Sequence, residues 1–403
     1  MTAVERQSAH QPHAVPRPQC VRMAMVGNPR SPHLQVYWRY MRDAGHEVDI
    51  LSGGESPVPG MRVVNIEPRR HYNLPFGVFT LLARLHLTRR ALTTGDYDVV
   101  SLQYISTHAV MASLSWQGPL HVSFWGSDIH LLSRQPRHVR WAMPWLLRRA
   151  DAIQSVSNFM TAELVKLGAR SDRIDTFQYG VDLGVFAPVA GRASRDPNLI
   201  VSTRALRPLY RLDALMRSFA VLSEDCPNAR LVIAGDGPER TRLENLAVEL
   251  GVQSSVEFTG QLIPVDLARL LSSAAVWVSI PSTDGTPLSL LEAMACGAYP
   301  LVADAPSLGE WVRDGLGIIV GDIGPLHLAA AMAAALQQAQ RGAHTAANRD
   351  LVNRMGNREF NLPRFEQTIL RLAGRSAREV SGESEQIERT RCPGATSDAE
   401  GVN

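Results

Sequence analysis

Ser282-Thr283-Asp284-Gly285-Thr286-Pro287-Leu288-Ser289-Leu290-Leu291-Glu292-Ala293-Met294-Ala295-Cys296-Gly297 reads as a loop, a helix start and a helix stop. The apolar run before it, Ala274 to Ile280, has the composition of a buried strand, and Pro281 to Gly285 supplies turn chemistry. Thr286 is expected as the N-cap, Pro287 suits the first helical position, and Gly297 stops the helix after about three turns. Strand, loop and helix N-terminus then meet at the carboxyl edge of a parallel sheet, where α/β proteins bind ligands. Free N–H groups at that N-terminus favour a phosphate. Asp284 in the loop and Glu292 in the helix bracket the turn, and their carboxylates suit hydroxyl donors. A ligand with a sugar at one end, a phosphate in the middle and a ribose at the other satisfies all three features. A capped core helix with solvated acids fits the same stretch.

An acid, seven residues and then Glu-Ala-Met-Ala-Cys-Gly resembles the acid-x7-Glu signature of the retaining glycosyltransferases of family 4, which have the GT-B fold. The resemblance implies two Rossmann-like domains whose parallel sheets face each other across a cleft. It also implies that Asp284, where the family usually has Glu, contacts the donor sugar and that Glu292 holds the nucleotide ribose. Gly285, Thr286, Pro287 and Leu288 would line the donor diphosphate.

A chain of 403 residues is long enough for two α/β domains with separate cores. A formal charge of +2 gives no reason to expect nucleic acid as a partner. Cys20, Cys226, Cys296 and Cys392 show no paired spacing, which suggests neither a disulfide framework nor a zinc site and fits a reducing cytoplasm. Met1 to Arg17 is polar, so no signal peptide is expected, and no apolar run approaches the length of a membrane span.

From Val21 to Leu51 the order is strand, Gly27-Asn28-Pro29-Arg30 turn, helix from Pro32 to Ala44, Gly45 stop and strand, which is a βαβ unit and implies a parallel sheet. Gly27, Asn28 and His33 are the acceptor-side candidates at its turn. Asp96-Tyr97-Asp98 superficially matches the Asp-x-Asp metal motif of a different glycosyltransferase fold, but those acids open a strand, the wrong end for a site. Leu120 to Phe124 leads into Trp125-Gly126-Ser127-Asp128, which resembles the family's His-Gly-x-Asp turn with Trp125 in place of His. An indole cannot act as a base, so Asp128 is the polar candidate there, with His121 and His130 close in sequence.

Ala150 to Pro188 resembles the family's passage out of its first domain, and residues 189–198 read as a linker. Leu199 to Arg204 opens the second domain. By the resemblance, Arg204 grips the donor diphosphate, and Arg211 stands near the position of a missing Lys. Gly235, in Gly235-Asp236-Gly237-Pro238, and Gly260 occupy two further turns of the donor domain, the nucleobase being held by backbone near the second. The domains are expected over residues 20–188 and 199–345, with a helical segment over 346–375 returning to the first domain and disordered tails at 1–19 and 376–403.

Two stretches mix basic and aromatic residues: Arg69 to Arg90 and Arg134 to Arg149. They suit an anionic membrane surface, and they also suit an ordinary amphipathic helix packed on a sheet, the commoner outcome. The resulting expectation is a retaining transferase, cytoplasmic or at the inner face of a membrane. It would use a nucleotide-sugar donor and a hydroxyl-bearing acceptor, lipid-linked, polysaccharide or small metabolite, with no cofactor and no metal. Its chemistry would be electrostatic, with positive potential concentrated on the departing diphosphate. A nucleotide-sugar epimerase of the same fold and a non-catalytic binding subunit are the alternatives.

Overall fold

Strands with both faces covered read as continuous apolar runs, and Met23 to Val26 in the first sheet is such a run, buried throughout. The computed structural model describes residues 20–68, 78–126, 129, 132–188, 195–312 and 315–381; Asp128 and His130, named above, lie outside these. The chain enters through β1 (Arg22–Val26), α1 (Pro32–Asp43), β2 (Glu47–Ser52), β3 (Arg62–Asn65), α2 (Val78–Thr94) and β4 (Val99–Gln103). It continues through α3 (Thr107–Ser115), β5 (Leu120–Ser123), α4 (Arg137–Arg149), β6 (Ala152–Ser155), α5 (Asn158–Lys166) and β7 (Ile174–Thr176). The helix starts are local in origin: Ser106 and Ser157 accept from the N–H groups of Ala109 and Met160, as N-caps do. In α1, Leu34, Tyr37, Trp38 and Met41 recur at helical spacing and are all buried.

The seven strands are parallel in the order β3-β2-β1-β4-β5-β6-β7. The second domain repeats the plan with β8 (Asp196–Ser202), α6 (Leu212–Asp225), β9 (Arg230–Ile233), α7 (Arg240–Glu249), β10 (Val256–Phe258) and α8 (Pro264–Ser273). After these come β11 (Ala274–Ser279), α9 (Leu288–Cys296), β12 (Tyr299–Ala303), α10 (Pro306–Gly309), β13 (Ile318–Val320) and α11 (Pro325–Arg341). Its six strands are parallel in the order β10-β9-β8-β11-β12-β13. In both sheets the strand order reverses once, between β1 and β4 and between β8 and β11. At such a switch point the loops diverge and leave a crevice at the carboxyl ends of the strands.

The second sheet's first strand already pairs at Asp196, with Ala274 of β11. The last helix is α13 (Arg358–Ser381), and residues 382–403 lie outside the described residues.

Helix α12 (His344–Gly356) packs on the second domain, and α13 crosses back to the first. The crossing is pinned where Val181 N–H donates to Gly356 O at 2.7 Å and Arg358 N–H to Val181 O at 3.0 Å. Gly180 has φ of +80° there, and a Cβ on it would stand 2.4 Å from Gly356 O. Phe365 of α13 is fully buried in the first domain, its ring 4.4 Å from Tyr37 and 5.2 Å from His121. His121 is thereby placed in that buried layer, bonded to Ser101 at 2.9 Å. Asp98 likewise accepts from Arg22 N–H at 2.9 Å at the amino end of the sheet.

Because the first domain's core is completed by a residue some 190 positions downstream of its last strand, Phe365→Ala is expected to cost about 3–5 kcal/mol. The loss should appear in chemical denaturation, with faster amide exchange in α1 and β1. Unchanged exchange there would mean that α13 contributes little to the first domain.

Candidate active site

Arg204 stands two residues beyond β8, with only 7% of its surface exposed, so its charge requires partners. Its guanidinium donates to Asp284 Oδ2 at 2.5 Å and to Ser289 Oγ at 2.8 Å, and lies 4.1 Å over the Tyr210 ring. The first of the two acids and the first cation named from sequence are therefore joined directly. Arg211 is placed differently. It adopts a left-handed backbone at φ +51° and spends its guanidinium on the carbonyls of Ile280 and Pro281, at 2.9 and 2.5 Å, so it braces the loop that carries Asp284.

Helix α9 begins at Leu288, with Pro287 as its N-cap residue and no side-chain cap. Thr286 does not cap it, because its hydroxyl donates to Val156 O of the first domain at 3.0 Å and accepts from Trp311 Nε1 at 3.3 Å. The helix N-terminus is consequently left open to an anion. One turn further on, Glu292 is pushed up to about 7 by burial, against the opposing pull of Arg358 and Arg204. Gly235 presses on the Arg204 backbone, since a Cβ there would stand 2.5 Å from Arg204 O. Gly260, at φ +73°, ends the turn after β10 beside Arg240.

Facing this wall, Gly27, Asn28, His33 and Trp125 line a cavity of about 530 Å³ together with Tyr210, Asp284 and Gly285. A Cβ on Gly27 would meet Leu34 Cδ1 at 2.7 Å and Gln103 O at 2.9 Å, so the close turn requires glycine. Asn28 Oδ1 accepts from Arg30 N–H at 3.0 Å and shapes the same turn. The His33 ring stacks on Trp125, with centroids 5.0 Å apart and planes 15° apart, and its Nδ1 is 3.0 Å from the Tyr179 hydroxyl. Surrounding protein pulls its pKa down to about 4 while the ring still meets solvent in the cleft, so it is neutral near pH 7.

The two walls touch. Trp125 O lies 2.8 Å from where a Cβ on Gly285 would stand, which explains glycine at 285. Glu310 accepts from the N–H groups of Asn158 and Phe159 at 2.9 and 2.8 Å, placing a carboxylate on the N-terminus of α5 across the cleft. Among the described residues no group of three His, Cys, Asp or Glu could hold a metal ion.

This arrangement of paired sheets and facing glycine turns was compared with known proteins. The family described as Glycosyltransferase Family 4 matches residues 33–185, and that described as Glycosyl transferases group 1 matches residues 188–351. A D-inositol 3-phosphate glycosyltransferase from Mycolicibacterium paratuberculosis is 35% identical over 331 residues, which span 73% of this chain and 74% of that one. The chain belongs to glycosyltransferase family 4.

A second such enzyme, from Mycobacterium avium, is 29% identical over 70% of this chain and 72% of its own. Among solved structures, Anabaena Alr3699/HepE in complex with UDP superposes with a TM-score of 0.68 at 16% identity, over 90% of this chain and 100% of that one. Sucrose-phosphate synthase from Thermosynechococcus elongatus gives 0.70 at 18%, again over 90% and 100%. These two likenesses speak for the GT-B fold.

Sequence reasoning missed four side chains of this glycosyltransferase's site: Ser289 and Tyr210 on Arg204, Tyr179 on His33, and Arg358 near Glu292. Ser289 sits inside the motif stretch and was legible as a first-turn hydroxyl. Arg358 had no such signal, because only the return of α13 brings it to the cleft.

The raised pKa of Glu292 fixes a sign. Its carboxyl is protonated in both folded and unfolded chains below about 4.5, and above about 7 it is ionised in both. Wild-type stability should therefore fall relative to Glu292→Gln as pH rises through that window and change no further above it. Thermal melts of the two proteins across pH test this, and a wild type that gains on the variant would show that the carboxylate is stabilised where it stands.

Proposed function

We propose that this glycosyltransferase moves a sugar from a nucleotide-diphosphate sugar to an acceptor hydroxyl with retention at the anomeric carbon and without a metal ion. The observation that carries the reading is the uncapped N-terminus of α9 beside a buried Arg204, with Glu292 one turn away. Arg204 and the free N–H groups would stabilise negative charge on the departing diphosphate, a role for which their preorganisation suits them. Glu292, once ionised, would accept from the ribose hydroxyls. Asp284 would exchange part of its contact with Arg204 for a hydroxyl of the transferred sugar as the diphosphate takes over the guanidinium.

The anomeric carbon–oxygen bond to the diphosphate breaks, and a bond to the acceptor oxygen forms on the same face. The acceptor's proton passes to the leaving phosphate oxygen. His33, neutral and fixed through Nδ1, would orient that hydroxyl, while Trp125 provides an apolar wall. UDP in the HepE complex supports a nucleotide donor, and the names of the inositol phosphate relatives support a polyol acceptor as the first to try. We place the reaction in the cytoplasm, with peripheral membrane association.

A thermal-shift panel of UDP, GDP, ADP, dTDP and their sugars in EDTA tests the donor site. One nucleotide at a hundred times its dissociation constant should add about 2.7 kcal/mol of stability, and Arg204→Ala and Glu292→Ala should abolish the shift. No shift with any of them in wild type would favour a non-catalytic subunit. Interconversion of the nucleotide sugar with no net release of nucleotide would favour an epimerase, and a product anomer opposite to the donor's would remove retention.

A further inference from the structure

We propose that the layer formed by α2, α3 and α4 docks this enzyme on an anionic lipid bilayer. The three helices lie side by side over one face of the first sheet, α3 packing against both neighbours. Together they carry seven arginines and not one Asp or Glu, in a chain whose formal charge is only +2. Arg84 and Arg149 are paired with Glu67 and Asp151. The other five, Arg89, Arg90, Arg137, Arg140 and Arg148, are exposed and form no ion pair among the described residues.

The apolar residues of α4 divide between two faces. Val139, Met143, Leu146 and Leu147 are buried against the sheet, whereas Trp141 and Trp145 are 79% and 38% exposed on the opposite arc, which they share with Arg137, Arg140 and Arg148. A helix that merely covers a sheet turns its large apolar side chains inward, so two outward indoles one turn apart mark a face that another phase covers. Phe79 and Leu82 in the first turns of α2 are exposed apolar side chains as well. Indoles partition to the membrane–water boundary and guanidinium groups reach anionic headgroups, so charge and polarity both match a lipid surface. No helix among the described residues is long and apolar enough to cross a membrane, and the attachment is therefore peripheral.

The face borders the cleft. Thr107 Oγ1 and His138 Nε2, at the amino ends of α3 and α4, are 2.9 Å apart, and Ser106 and His108 beside them line the acceptor-side cavity. On the transferase reading above, docking would hold that cavity at the bilayer surface, where a lipid-borne hydroxyl can enter it.

The full-length protein should float with vesicles containing phosphatidylglycerol and stay down with phosphatidylcholine alone, with binding lost in high salt. Trp141→Ala/Trp145→Ala and Arg137→Glu/Arg140→Glu/Arg148→Glu should each reduce partitioning by at least about tenfold. Because these side chains are exposed, the melting temperature and any nucleotide-induced shift should be unchanged, which separates loss of docking from failure of the transferase reading. Wild type that stays down with anionic vesicles overturns the proposal. So does equal flotation on neutral vesicles, or variants that float like wild type. Self-association that the tryptophan variant abolishes, without flotation, would assign the face to a second copy of the chain and overturn it as well.

Discussion

A nearly buried guanidinium with few ways to be satisfied organises the second domain. Arg204 would be costly without counter-charge, and Asp284, Ser289 and Tyr210 supply one, a hydroxyl and a π face from two separate segments. The loop after β11 must therefore approach the end of β8 closely. Arg211 fixes that approach from behind by holding the carbonyls of Ile280 and Pro281. Glycine at 235 lets the backbone after β9 lie against Arg204 itself. Removing Asp284 would leave a buried charge, and a side chain at 235 would clash with the Arg204 backbone.

The cleft depends in turn on a chain that crosses between domains twice. Val181 and the Gly356–Arg358 segment pair at the crossing, α13 completes the first domain's core through Phe365, and Arg358 at its start reaches Tyr179 and Glu292. On the other side, Thr286 bonds Val156 and Glu310 bonds the start of α5. The walls are thus held by polar contacts at one rim and by continuous backbone at the other, an arrangement that permits hinge-like motion about the crossing.

Charge is segregated across the molecule. The donor wall concentrates a cation and a helix N-terminus around an acid that burial keeps partly protonated, while the facing wall presents a neutral imidazole and an indole. The arginines of the outer helices α2 and α4 find carboxylate partners, among the described residues, only in Glu67 and Asp151.

The fold was legible in the sequence because its signals are local: Gly45, Gly297 and the serine caps end or begin helices, and buried parallel strands such as Ala274–Ser279 must be apolar on both faces. The order of the modest motifs around Asp284 and Glu292 carried the family for the same reason, as spacing along one helix and one loop is set by backbone geometry. What the sequence could not decide is which polar groups each side chain meets. Thr286 reads as a cap and instead bonds the other domain, and Arg211 reads as a phosphate cation and braces a loop. Each outcome turns on a partner more than 40 positions away or on another domain, so only the closed tertiary structure determines it.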